Sequence, residues 1–153
     1  MINYSNTNIK GHNGHVITIH EDFKPYLDKM NESAVRLGLT IYVMDSIRKS
    51  TDVLTGTVVT PAKMSNHFIG FALDTNIQEG KKWHNGESMK KEYDKRIGKV
   101  FSFIQECKSF GLRYGGDFHP DRKGKTDPVH FDVAININNP EKWHEIYNSL
   151  ASA

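Results

Sequence analysis

Two segments of this chain split their residues between two faces in the same way, and that split limits the fold more than any other feature. In "GFALDTNI", residues 70–77, strand alternation puts Phe71, Leu73, Thr75 and Ile77 on one side and Gly70, Ala72, Asp74 and Asn76 on the other. In "VHFDVAINI", residues 129–137, it puts Val129, Phe131, Val133, Ile135 and Ile137 on one side and His130, Asp132, Ala134 and Asn136 on the other. Each segment reads as a strand with a bulky apolar side for a core and a side of small residues joined by Asp or His. Gly70 and Ala72 leave room above the sheet. Asp74 and His130 converge on that room, and His67 reaches in from the end of the first strand. Two histidines and one carboxylate are a standard three-ligand set for catalytic zinc, with a fourth position open. The same alternation also describes two half-exposed strands whose polar residues meet only water.

Around these strands the chain reads as α+β, with a small, mainly antiparallel sheet and helices packed on one side. Phe23, Tyr26, Leu27, Met30, Ala34 and Leu37 recur at intervals of three and four, which predicts a helix over 21–37 that stops at Gly38. "LTIYVMD", 39–45, reads as a strand from its β-branched and aromatic content. A second helix is expected over 87–110, with Met89, Tyr93, Ile97, Val100, Phe101, Ile104 and Cys107 on its apolar face and Gly111 as its C-cap. A last helix starts at Asn139-Pro140 and buries Trp143, Ile146, Tyr147 and Leu150. Residues 49–66 read as a long loop, a feature often kept for function.

At 153 residues the chain fits one domain, 1–153, with no room for a separate wall-binding module. A net charge of +2 gives no argument for nucleic acid, and it does not oppose an anionic polymer such as a cell wall. The single Cys107 excludes an intramolecular disulfide and a multi-cysteine metal cluster. No segment approaches the roughly 18 apolar residues of a membrane span. MINYSNTNIK lacks the basic and apolar regions of a signal peptide.

Four segments resemble one family, in that family's order. "SNHFIGFALD", 65–74, matches the S-x-H-x-x-G-x-A-x-D pattern of the zinc-dependent peptidoglycan peptidases. These comprise the D-Ala-D-Ala carboxypeptidases and dipeptidases, and the L-alanyl-D-glutamate endopeptidases of many phage endolysins. "DPVHF" resembles their second metal motif, "GLRYGGDF" (111–118) the segment between the two, and "MDSIRKS" the strand end that carries the family's arginine. The resemblance implies a fold shared with the hedgehog signalling domain. It also implies one zinc ion per chain, held by His67, Asp74 and His130. It makes Asp127 the general base, Arg48 the group that polarises the scissile carbonyl, and Ser65 part of the substrate site. Read alone, Asp127 is a turn residue before Pro128, and Arg48 is a solvated charge.

The implied substrate is peptidoglycan. The short chain and the Asp base resemble the L-alanyl-D-glutamate endopeptidases, with a D-Ala-D-Ala carboxypeptidase as the alternative. The loops at 49–66 and 78–88 are where the two would differ. A non-enzymatic zinc-containing binding domain of hedgehog type is a further alternative. A monomer is expected, made in the cytoplasm and reaching the wall by holin-type release or by injection. Asp132 reads as a support for His130 or as a surface group. Asp117 either orients a ligand histidine or caps the Gly115-Gly116 turn. His12, His15, His20, His84, His119 and His144 read as surface histidines, with His119 near enough to the motifs for a substrate role.

Overall fold

The computed structural model describes residues 1–49, 63–121 and 126–151. Its strands are β1 (Ile2–Tyr4), β2 (Ile9–Gly11), β3 (Ile17–Ile19), β4 (Leu39–Asp45), β5 (Ala72–Glu79), β6 (Lys82–His84), β7 (Arg113–Tyr114) and β8 (His130–Asp132). Its helices are α1 (Lys24–Leu37), α2 (Gly86–Asp94), α3 (Lys99–Ser109), α4 (Ile135–Asn138) and α5 (Pro140–Ala151). The architecture is α+β. β1 and β3 form a small antiparallel pair. The main sheet runs β2-β4-β5-β8-β7, with β6 hydrogen-bonded to the far end of β5. Among the described residues only β2–β4 is parallel; every other pairing is antiparallel.

Helix α1 follows its apolar periodicity. Leu27, Met30 and Ala34 are fully buried, and Gly38 ends the helix at φ 70°, a left-handed turn that costs glycine little. These residues share one apolar cluster with Leu39, Ile41 and Val43 of β4, Leu73 and Ile77 of β5, Phe131 of β8, and Phe103, Ile104 and Cys107 of α3. One sheet face therefore carries the core. The other face is left for polar groups. Cys107 is fully buried and packs as an apolar residue.

Three sequence expectations need correction. The helix expected over 87–110 is two helices, broken at 95–98, where Arg96 and Gly98 take φ values of 57° and 99°. Gly98 is a poor helix residue and a ready left-handed one. The break lets Met89 and Val100 both reach the core and leaves Ile97 73% exposed instead of on the apolar stripe. The strand expected over 129–137 is only three residues long. Beyond it Asn136 donates its backbone N–H to Asn66 Oδ1 (3.1 Å) and its side-chain amide to Met64 O (3.0 Å). These bonds to the segment before His67 stand where a continued sheet ladder was expected, and Ile135–Asn138 turns into helix α4. Finally, 78–88 is not a loop: β5 runs to Glu79 and turns at Gly80 into β6. Of the loop expected over 49–66, residues 50–62 lie outside the described residues.

Helix α5 begins at Pro140 as expected. Its Trp143 is fully buried, stacks on Tyr147 at 4.9 Å, and donates its indole N–H to Ser65 O at 3.1 Å. The C-terminal helix thus clamps the segment that leads into His67.

Candidate metal centre

Strand pairing sets Asp74 directly opposite His130, Leu73 opposite Phe131 and Ala72 opposite Asp132. Directly paired residues share a face, so the Asp74 and His130 side chains stand side by side on the polar face of the sheet. His67 arrives from a 3-10 turn, Asn66–Ile69, just before β5. Ser65 caps this turn, its Oγ accepting from His67 N at 3.2 Å. Gly70 closes it at φ 78°, and a Cβ there would lie 2.5 Å from His20 N. Gly70 therefore serves the turn and its close approach to the end of β3, not room above the sheet.

The two imidazoles are oriented from behind. His67 Nδ1 lies 2.7 Å from Ser46 O. A carbonyl only accepts, so Nδ1 carries the proton and Nε2 presents a lone pair, 3.2 Å from Asp74 Oδ1. His130 Nε2 lies 2.9 Å from Asp132 Oδ2, which leaves Nδ1 facing Asp74 Oδ1 at 3.4 Å. Asp132 is 2% exposed and is itself fixed by Arg113, with Nε at 2.8 Å and the terminal nitrogen at 2.7 Å, and by the Asn66 amide at 3.0 Å. A carboxylate behind a metal-binding histidine sets its tautomer and raises its basicity.

Nε2 of His67, Nδ1 of His130 and a carboxylate oxygen of Asp74 all lie within 4.8 Å of one another. A tetrahedral zinc site with bonds of about 2.0–2.1 Å needs ligand atoms about 3.3 Å apart, close to the two distances found here. The chemistry of the donors points the same way. His130 Nδ1 is one of two buried side-chain polar atoms without a hydrogen-bond partner among the described residues; the other is the Tyr114 hydroxyl. Buried atoms of this kind are rare. Lone pairs from two rings and an anionic oxygen converge on one point, and only a cation relieves their repulsion.

The titration shifts agree. Burial alone would raise the Asp74 carboxyl, but the His130 and His67 rings beside it outweigh burial and hold the group well below the usual carboxylate range. Burial would lower His130, yet Asp132 and Asp74 push it up to about 9. Asp132 is drawn down to about 2 against its own burial, by His130 and Arg113. Without a metal, the cluster takes up a proton as its cation.

The remaining expected residues stand at the rim. A register shift between Val43 and Asp45 puts Asp45 opposite Asp74. Arg48 Nε lies 2.9 Å from Asp45 Oδ2, and its terminal nitrogen reaches Asp74 Oδ2 at 3.4 Å. Asp127 is half-exposed, its Oδ2 3.7 Å from His130 Nδ1. Its backbone is pinned by Asp127 N→Gly115 O at 2.8 Å and His130 N→Asp127 O at 3.0 Å. Gly115 is required for that approach, since a Cβ there would fall 2.1 Å from Asp127 O. Burial, then the Asp74 charge, raise the Asp127 carboxyl above its ordinary range, against His130, His67 and Arg48.

Asp117 does not orient a ligand histidine: its carboxylate accepts from the Tyr93 hydroxyl at 2.6 Å and pairs with Lys108 at 2.8 Å. His84 is not a surface residue; it is 3% exposed, between Glu79 (3.0 Å) and Ser88 (2.7 Å). His15 bonds Ser46 Oγ at 2.9 Å, and His20 stacks on Phe71 at 4.8 Å. His119 is exposed, with φ 48°. Sequence reasoning missed Arg113 and the Ser46 carbonyl. Arg113 sits opposite Asp132 in the β7–β8 register, so only the pairing of those strands could have found it.

A family model described as D-alanyl-D-alanine carboxypeptidase matches residues 59–133, a little under half of the chain. That span includes His67, Asp74, Asp127 and His130. A search of curated proteins finds no match.

Proposed function

We propose that this chain is a zinc-dependent peptidase, a single catalytic domain that hydrolyses a peptide bond in the stem peptides of peptidoglycan. The observation that carries the reading is the convergence of His67, Asp74 and His130 lone pairs on one point, with Asp127 beside it. The family match supports the same chemistry. When bound, zinc supplies Lewis acidity and makes a water nucleophilic near neutral pH.

The chain's own residues do the rest. Asp127, ionised and with a raised pKa, accepts the attacking water's proton on its carboxylate. As the new C–O bond forms, negative charge gathers on the former carbonyl oxygen, and Arg48 supplies a fixed positive charge for it at the rim. Asp127 then delivers its proton to the leaving amine as the C–N bond breaks. Asp132 and Ser46 hold the rings still, so little reorganisation accompanies the step. Ser65 lies at the entrance to the His67 turn and lines the substrate site in this reading.

The bond we assign is L-alanyl-D-glutamate, from the endolysin-like resemblance and the Asp base. The description of the matching family favours a second reading, removal of terminal D-alanine. Mass spectrometry of peptides released from purified peptidoglycan separates them. Free peptides beginning with D-glutamate carry the first reading; stems shortened by one D-alanine carry the second. Intact stems after full digestion time would sink both.

A further inference from the structure

The sheet face that carries the metal cluster does not end there. Asp74, Asn76 and Gln78 of β5 share that face by alternation, and the register places Tyr42 opposite Asn76 and Trp83 opposite Gln78. The Tyr42 and Trp83 rings meet at 5.3 Å, and His12, just after β2, packs on both at 6.3 and 5.4 Å. Trp83 stays 44% exposed. An exposed tryptophan costs apolar hydration, and here three rings form one surface with Gln78 and Thr40 as polar neighbours. Along β5 this surface lies about 7 to 13 Å from Asp74.

We infer that the Trp83–Tyr42–His12 surface is a saccharide platform that takes a sugar ring of the glycan strand while the stem peptide reaches the metal cluster. This rests on the peptidase reading for its substrate. The apolar C–H face of a pyranose stacks on an aromatic ring, while its hydroxyl and acetamido groups need polar neighbours such as Gln78 and Thr40. In peptidoglycan L-alanine is joined to the lactyl group of muramic acid, so the stem peptide, at most about 17 Å from the sugar to its last bond, spans the distance between this surface and Asp74.

The test uses a β-1,4-linked tetramer of N-acetylglucosamine, which has no peptide and so reports the platform independently of hydrolysis. The chain has two tryptophans and Trp143 is fully buried, so fluorescence reports Trp83. Titration should give a saturable fluorescence change in the wild-type protein. Calorimetry should show binding weakened about tenfold or more in Trp83→Ala, as for loss of one aromatic anchor. His12→Ala should weaken it in the same direction, and it serves if the first variant fails to fold. Saccharide binding without any hydrolysis of peptidoglycan would leave the platform standing and refute the peptidase reading. No binding by the wild type, or equal affinity in the folded variants, overturns the platform.

Discussion

In the proposed mechanism the protons of Asp127 and His130 decide whether the site works. Among the described residues the Asp127 carboxylate forms one ion pair, to His130, and its backbone bonds do not depend on that carboxylate. Asp127→Asn should therefore keep zinc content and thermal stability near wild type, while hydrolysis falls by about 10²–10⁴, the range for a lost general base. Turnover above about a tenth of wild type would reduce Asp127 to a turn residue. His130 gives the pH dependence. Its pKa in the metal-free fold, about 9, stands above the ordinary 6.5. The stabilisation from its pairing is thus complete below about pH 6.5 and is lost as pH rises through 9. A metal needs the Nδ1 lone pair, so zinc binding at pH 7 must expel that proton. Calorimetry in buffers of different ionisation enthalpy should show about one proton released per ion, and affinity falling as pH drops. Release of none would mean that His130 is not a ligand.

At the scale of elements, the β5–β8 pair and the segment behind it make the site. The face division of "GFALDTNI" was legible because alternation needs only a period of two, and it correctly brought Asp74 to His130. Register was not legible. Without it nothing joined Arg113 to Asp132, and Asp132 stayed open between support and surface. The structure makes it a positioning residue: buried, bidentate to Arg113, bonded to His130. Asp132→Asn keeps the shape but not the charge. Zinc affinity should fall about 10–100-fold, the usual cost of a lost carboxylate behind a metal-binding histidine. The His130 pKa, read by NMR in the metal-free protein, should fall with it. Unchanged affinity with an unchanged pKa would leave Asp132 a merely structural anion. The broken 87–110 helix shows the opposite failure: the period of 3.6 ran on through Gly98, and only the backbone angles at Arg96 and Gly98 interrupt it.

For the molecule as a whole, the α+β class, α1, β4 and the last helix were legible because long periodic segments dominate their own surroundings. The three short strands of residues 2–19 were not, since three-residue strands owe their state to their partners. Those partners matter for the site: His15 and Thr18 hold the Ser46 side chain, and Ser46 O orients His67. The apolar core thus lies on one face of the main sheet, and the His67–Asp74–His130 cluster and the aromatic surface lie on the other. The most direct measurement is amine release from purified peptidoglycan by the protein with zinc, after chelation, and after zinc is restored. The account predicts release with zinc, loss on chelation and recovery on restoring the metal, with near one zinc per chain in the active forms. A folded protein that carries its zinc and releases no amine contradicts it.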